Sequence, residues 1–80
     1  MNPYDIAQKL RELRREKDIS QSQMAEHLQI SRATLSAFET GRGSDIGLRK
    51  VMAMADYLGV ELYLREKSPF PTFEELRDAL

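Results

Sequence analysis

The chain has 80 residues, no cysteine and a formal net charge of -1. This length gives one small domain with a thin core that buries about 60% of the unfolded surface, so help from a partner subunit is expected. The missing cysteines exclude disulfides and thiolate metal sites and fit a reducing cytoplasm, and no apolar run approaches the length of a membrane span or of a signal-peptide core.

Two helices are predicted in the first thirty residues. Apolar side chains recur at helical spacing over residues 3–17, and Pro3 stands near the start, where its missing N–H costs nothing. The apolar positions of this helix are Ile6, Leu10 and Leu13. Ser20 and Gln23 have the S-x-x-Q spacing of a capping box and open a second, short helix. Its inward side chains are Met24, Ala25 and Leu28.

Two more helices follow before the periodicity changes. Ser31 is the N-cap of a third helix that runs to about Thr40, and the glycines after it end that helix. A fourth amphipathic helix ends at Gly59. Its apolar positions are Leu48, Val51, Met52, Ala55 and Leu58, and Met24, Met52 and Met54 are interpreted as core filling. Residues 60–67 alternate apolar and polar side chains, which is typical of a strand, and a short amphipathic tail occupies residues 68–80.

Residues 21–40 have the pattern of a helix-turn-helix. Two short capped helices are joined by a turn at residues 28–30, and Ala25 is small where the helices must approach closely. On a helical wheel, Leu35 and Phe38 share the buried side of the third helix. The other side carries Arg32, Ala33, Ser36, Ala37 and Thr40, of which only the arginine is long. A helix with so small an outer face can sit deep in a DNA major groove, which is about 12 Å wide.

This outer face supplies the predicted base-reading residues, namely Arg32, Ala33, Ser36 and Ala37. Arg32 can bind guanine O6 and N7 through two hydrogen bonds, worth about 1–3 kcal/mol of discrimination, and alanine methyl groups can contact thymine methyl groups. The N-terminal end of the helix and the loop after it favour phosphates. The residues predicted to contact phosphate are Ser31, Thr34, Thr40, Arg42 and Ser44. The alternative is an ordinary bundle surface with a solvated Arg42.

Charge is distributed unevenly along the chain. Residues 1–50 carry nine Lys and Arg against seven Asp and Glu, whereas residues 51–80 carry three against six. This asymmetry suits a nucleic-acid face at one end and a different contact at the other. Ordinary scatter of surface charge explains it equally well.

The run QSQMAEHLQISRATLSAFETGRG, followed by LRKVMAMADYLGV, resembles the Cro/C1-type (Xre) helix-turn-helix family of bacterial and phage repressors over about residues 6–64. The resemblance implies a compact all-α, lambda-repressor-like domain of four to five helices whose third helix reads DNA. It also implies that Gln21 contacts a phosphate and can support a reader side chain, and that Arg14 pairs with Glu39 in a partly buried ion pair. The chain departs from the family at Gln29, where a glycine usually adopts a left-handed conformation, at a cost of about 1 kcal/mol.

The strand at residues 60–67 has no second strand in the chain with which to pair, and a single strand cannot satisfy its own backbone. Antiparallel pairing with the same strand of a second copy predicts a homodimer, with an interface formed by Val60, Leu62, Tyr63 and Leu64. A dimer would present two reader helices roughly 34 Å apart and bind a palindromic operator. The alternative is an extended tail that packs back on its own domain.

A helix-turn-helix domain followed by such a strand resembles HipB-like antitoxins, whose toxin is a HipA-like serine/threonine kinase. The match lies in the architecture and in residues 48–64. The resemblance implies that the toxin binds the dimer and that the complex represses its own operon. The tail carries an apolar set predicted to dock the toxin, namely Phe70, Phe73, Leu76 and Leu80. Packing of the tail on its own dimer, or a disordered end, is the alternative.

The predicted organisation is a helix-turn-helix DNA-binding domain at residues 1–59, a dimerisation strand at residues 60–67 and a tail at residues 68–80. No enzyme, metal, cofactor or small-molecule substrate is expected, because the single histidine, His27, has no clustered ligands. The predicted function is a sequence-specific repressor, the antitoxin of a HipA-like kinase, located in the bacterial cytoplasm and on the nucleoid. A plain phage, plasmid or operon repressor and a protein-interaction module that does not read DNA remain as alternatives.

Overall fold

A computed structural model describes residues 2–43 and 45–67. These residues form four helices: α1 (Pro3–Glu16), α2 (Gln21–Leu28), α3 (Arg32–Glu39) and α4 (Leu48–Tyr57). Helix α3 packs against both α1 and α2, and α2 also packs against α4. The predicted all-α fold is therefore confirmed for the described part of the chain, and none of the helices there is both long and apolar enough to cross a bilayer.

The first three helices begin at side chains that cap them. Asn2 and Ser31 each accept a hydrogen bond of 3.0 Å from the backbone N–H three residues later. At α2, the Ser20 hydroxyl accepts from the Gln23 N–H at 3.0 Å, while the Gln23 side chain accepts from the Ser20 N–H at 2.9 Å. The predicted capping box and the Ser31 cap are confirmed. Each cap satisfies N–H groups that have no partner within the helix, which is worth about 1 kcal/mol.

The turn between α2 and α3 depends on a left-handed residue. Gln29 has φ 58° and ψ 43°, so the conformation that this family usually gives to glycine is adopted here by glutamine, as expected. The Ile30 N–H donates to the Ala25 carbonyl at 3.0 Å and closes the end of α2. Lys50 reaches over from α4, and its ammonium donates to the Leu28 carbonyl at 2.6 Å. This second hydrogen bond at the C-terminal end of α2 was not predicted.

The core lies between the four helices and consists of small and medium apolar side chains. Its fully buried members are Ala7, Leu10, Met24, Ala25, Leu28, Leu35, Met54, Ala55 and Leu58. One prediction for α4 is wrong, because Leu48 and Met52 are 69% and 52% exposed. Met52 and Met54 lie about 160° apart around a helix, so they cannot both face the core. Met54 occupies it, and this turns Leu48 and Met52 towards solvent.

The chain beyond α4 has no helix or strand as far as residue 67, where the description ends. Gly59, with φ 73°, ends α4 as predicted, and Val60 packs against the core. Leu62, Tyr63 and Leu64 are exposed. Because a strand that pairs with a second copy has no partner in a single chain, the predicted pairing stays a prediction. Ser44 and the predicted docking residues of the tail, Phe70, Phe73, Leu76 and Leu80, lie outside the described residues.

Candidate nucleic-acid interface

Helix α3 is anchored along one side and open along the other. Leu35 is fully buried and Phe38 is half-buried, as the wheel predicted. Glu39, one turn after Leu35, is also buried although it is charged. Arg32 and Ala33 are exposed on the outer side. The core therefore holds this helix firmly while its outer face carries almost no long side chains.

A buried ion pair fastens the C-terminal end of α3 to α1. The Nε of Arg14 donates to Oε2 of Glu39 at 2.7 Å, and its Nη2 donates to Oε1 at 3.0 Å. The third nitrogen, Nη1, donates to the Ile19 carbonyl at 2.7 Å. Arg14 is 8% exposed and Glu39 is 1% exposed. The family resemblance implied this pair, and the structure confirms it in a two-pronged form that fixes both side chains.

The ion pair is connected to the surface through Gln21, the first residue of α2. The amide nitrogen of Gln21 donates to Oε1 of Glu39 at 2.9 Å. The amide oxygen of Gln21 accepts a longer hydrogen bond, of 3.4 Å, from Nε of Arg32. A continuous set of hydrogen bonds thus runs from the core to the long side chain on the outer face of α3. The support of a reader side chain by Gln21 was implied by the family resemblance, but the link from Glu39 to Gln21 was missed.

The four predicted reader positions differ in their exposure to solvent. Arg32 and Ala33 are exposed, whereas Ser36 and Ala37 are half-buried. The chain after α3 folds back over Ala37, whose carbonyl accepts from the N–H of Arg42 at 2.9 Å and of Gly43 at 3.2 Å. A Cβ on Gly43 would come within 2.9 Å of the Ala37 Cβ. The absence of a side chain at position 43 therefore allows this close approach.

A second arginine is held at the C-terminal end of α3. The Thr40 hydroxyl donates to the Ser36 carbonyl at 2.8 Å and accepts from Nε of Arg42 at 3.0 Å. A phosphate, which only accepts, would have to replace the Ser36 carbonyl as the partner of this hydroxyl. Arg42 itself is exposed beside the end of the helix. One guanidinium therefore stands at each end of α3, and the protein binds each of them through Nε.

The N-terminal end of α3 presents two hydroxyl groups. Oγ of Ser31 and Oγ1 of Thr34 are 2.8 Å apart and share one hydrogen bond. Because each hydroxyl carries one hydrogen, sharing a single bond leaves one hydrogen to donate outwards. Both residues are exposed. This end of the helix can therefore offer a phosphate a hydroxyl donor together with the positive end of the helix dipole.

The helix-turn-helix class of DNA-binding domains is defined by two short helices and the turn that joins them. Here the turn is left-handed, and the second helix exposes a face of small residues. A family model described as a helix-turn-helix domain matches residues 5–67, and the chain belongs to this family, in its Xre/Cro-like kind. No curated protein matches the chain. Membership of the family indicates sequence-specific DNA binding and regulation, with DNA as the partner.

Proposed function

We propose that the chain is a transcriptional repressor that inserts α3 into the major groove of its operator and acts by binding without catalysis. The observation that carries the proposal is the contrast between the two sides of α3. Leu35 and Glu39 are buried, whereas the outer face is small except for Arg32, which Gln21 supports. The reader residues in this proposal are Arg32, Ala33, Ser36 and Ala37. Arg32 is the main candidate for base recognition, because two parallel N–H donors of its guanidinium match guanine O6 and N7.

Phosphate contacts on both sides of α3 would position it in the groove. At its N-terminal end the contacts would come from Gln21, Ser31 and Thr34, and after its C-terminal end from Thr40, Arg42 and Ser44. The guanidinium of Arg42 is held by Thr40 at 3.0 Å, which supports a fixed contact and argues against a freely moving loop charge. Phosphate contacts of this kind supply affinity for any duplex and make it depend on salt.

Selection of duplexes from a randomised pool, followed by binding titrations, tests this proposal. We expect Arg32→Ala to lose the preference at one base pair, by about 1–3 kcal/mol, and to leave the other positions unchanged. Arg42→Ala should weaken all duplexes alike and lower the salt slope by about 1. Lys9→Ala is the matched control, because it removes the same charge from a lysine that pairs with Glu12 on α1. Full function in Arg32→Ala would favour a protein-interaction module instead.

We further propose that the repressor is a homodimer formed by antiparallel pairing of residues 60–67. Leu62, Tyr63 and Leu64 support it, because three consecutive large apolar side chains are exposed in the single chain, with Leu64 at 87%. Sedimentation should show a dimer that Leu64→Lys converts to a monomer. Leu48→Lys is the control, because it places the same charge at another exposed leucine. If Leu48→Lys separates the subunits and Leu64→Lys does not, the pairing is wrong.

The finer proposal is that this dimer is the antitoxin of a HipA-like kinase and represses its own operon. Its support is the resemblance of residues 48–64 and the apolar, acidic tail at residues 68–80. The first experiment is a pull-down of the tagged protein from its native host, with mass spectrometry. A stoichiometric kinase that is lost when residues 68–80 are deleted would support the antitoxin. Recovery of the protein alone, still bound to its own upstream DNA, would leave a plain repressor.

A further inference from the structure

The orientation of the Gln21 amide follows from the chemistry of its two neighbours. The Glu39 carboxylate can only accept hydrogen bonds, so the amide group that faces it at 2.9 Å must be the NH₂. The Arg32 guanidinium can only donate, so the group that faces it must be the oxygen. The two neighbours thus require the same orientation of the amide. Gln21 therefore links the carboxylate at position 39 to the guanidinium at position 32 through one amide group.

We propose that Glu39 is a positioning residue for DNA reading: through Gln21 it aims the Arg32 guanidinium, and so sets the preference for guanine at the base pair that Arg32 reads. This inference rests on the proposed function. Gln21 uses only Nε of Arg32, and no other described residue binds its two Nη nitrogens. These two nitrogens are the parallel donors that fit the two acceptors of guanine in one plane.

The carboxylate is itself held too firmly to adapt. Arg14 binds both of its oxygens, at 2.7 and 3.0 Å, and is fixed in turn by the Ile19 carbonyl. The pair is almost completely buried, so a change of rotamer in either side chain would leave a buried charge unpaired. A reading side chain needs a rigid supporting shell to be selective, and here the buried ion pair provides that shell.

Removing the carboxylate together with its charged partner should release this support. In Arg14→Met/Glu39→Leu, apolar side chains replace both buried charges, so that no orphaned guanidinium remains in the core. Gln21 then has no acceptor at position 39 that fixes the orientation of its amide. The Arg32 guanidinium therefore loses its fixed support.

Two variants test the proposal, with the preference for guanine in pooled duplex selections as the readout. Gln21→Met keeps the side-chain length and leaves the ion pair intact, whereas Arg14→Met/Glu39→Leu removes the pair and with it the acceptor for Gln21. We expect the guanine preference at the base pair identified with Arg32→Ala to fall roughly two- to tenfold in both variants, and preferences elsewhere to persist. In the Arg32→Ala background neither variant should change that preference further.

The outcomes separate this inference from the function on which it rests. If the parent protein selects no sequence, or if Arg32→Ala changes no position, the proposed function is wrong. If Arg32→Ala removes one preference while folded Gln21→Met keeps it, the positioning role is overturned. Circular dichroism establishes folding at the assay temperature, and a guanine preference that persists in the folded Arg14→Met/Glu39→Leu variant also overturns the role of Glu39. A merely structural role of Glu39, or the loss of a Gln21 phosphate contact, would weaken all duplexes alike.

Discussion

Glu39→Ala is expected to remove a large part of the free energy of unfolding. The glutamate is 1% exposed and accepts three hydrogen bonds, two from Arg14 and one from Gln21. Without it, the buried Arg14 guanidinium keeps only the Ile19 carbonyl. Breaking one side of a buried pair costs about 3–5 kcal/mol. For a domain of this size that lowers the melting temperature by at least about 12 °C.

The double variant Arg14→Met/Glu39→Leu separates two contributions to stability: the cost of leaving Arg14 unpaired and the net contribution of the ion pair itself. It removes both charges and fills the space with apolar atoms, which is often neutral relative to a buried pair. We expect the double variant to be more stable than Glu39→Ala, measured by urea and thermal unfolding followed by circular dichroism. The reasoning is refuted if Glu39→Ala costs under about 1 kcal/mol, as an exposed pair would, or if the double variant is no more stable than Glu39→Ala.

Backbone conformation gives two further predictions for the same unfolding assays, and core packing gives a third. Gln29→Gly should stabilise the domain by about 0.5–1 kcal/mol, because glycine adopts the left-handed conformation without strain, and Gln29→Ala should not. Gly41→Ala should destabilise more than Gly59→Ala: both have positive φ, but a Cβ at position 41 would lie 2.7 Å from Cδ2 of Tyr4 and one at position 59 would meet nothing within 4 Å. An equal loss would contradict this. Leu35→Ala should cost about 2–5 kcal/mol, since this side chain is fully buried in the core.

Local signals in the sequence predicted most of the fold. The capping box at Ser20 and the N-cap at Ser31 are decided by neighbouring backbone, so a short stretch of sequence contains them, whereas the left-handed Gln29 was expected from the family resemblance. The inner side of α3 also followed from its periodicity. The phase of α4 did not, because its apolar residues fit two overlapping helical stripes. Only packing against α2 selects the stripe that contains Met54 and leaves Met52 exposed.

The outer face of α3 was predictable from the sequence, whereas the contacts that its residues make were not. The reader face follows from side-chain size around one helix, and Arg14 with Glu39 from the family resemblance. The link from Glu39 to Gln21 joins residues 18 positions apart and depends on how α2 crosses α3. Likewise, the half-burial of Ala37 arises from the chain that returns over it at Gly43. Contacts of this kind have no periodic signature in the sequence.

The chain is held against the domain immediately after α4. Gly59 turns the chain, the Val60 N–H donates to the Ala55 carbonyl at 2.9 Å, and the Val60 side chain packs against the core. The direction in which the chain leaves the domain is therefore set by the last turn of α4. The position of residue 60 relative to α3 is therefore set by the packing of α4 and Val60 on the core. In the proposed dimer, the tolerated distance between two DNA half-sites would depend on this junction, and one glycine inserted after Val60 would widen the range of distances without altering any proposed DNA contact.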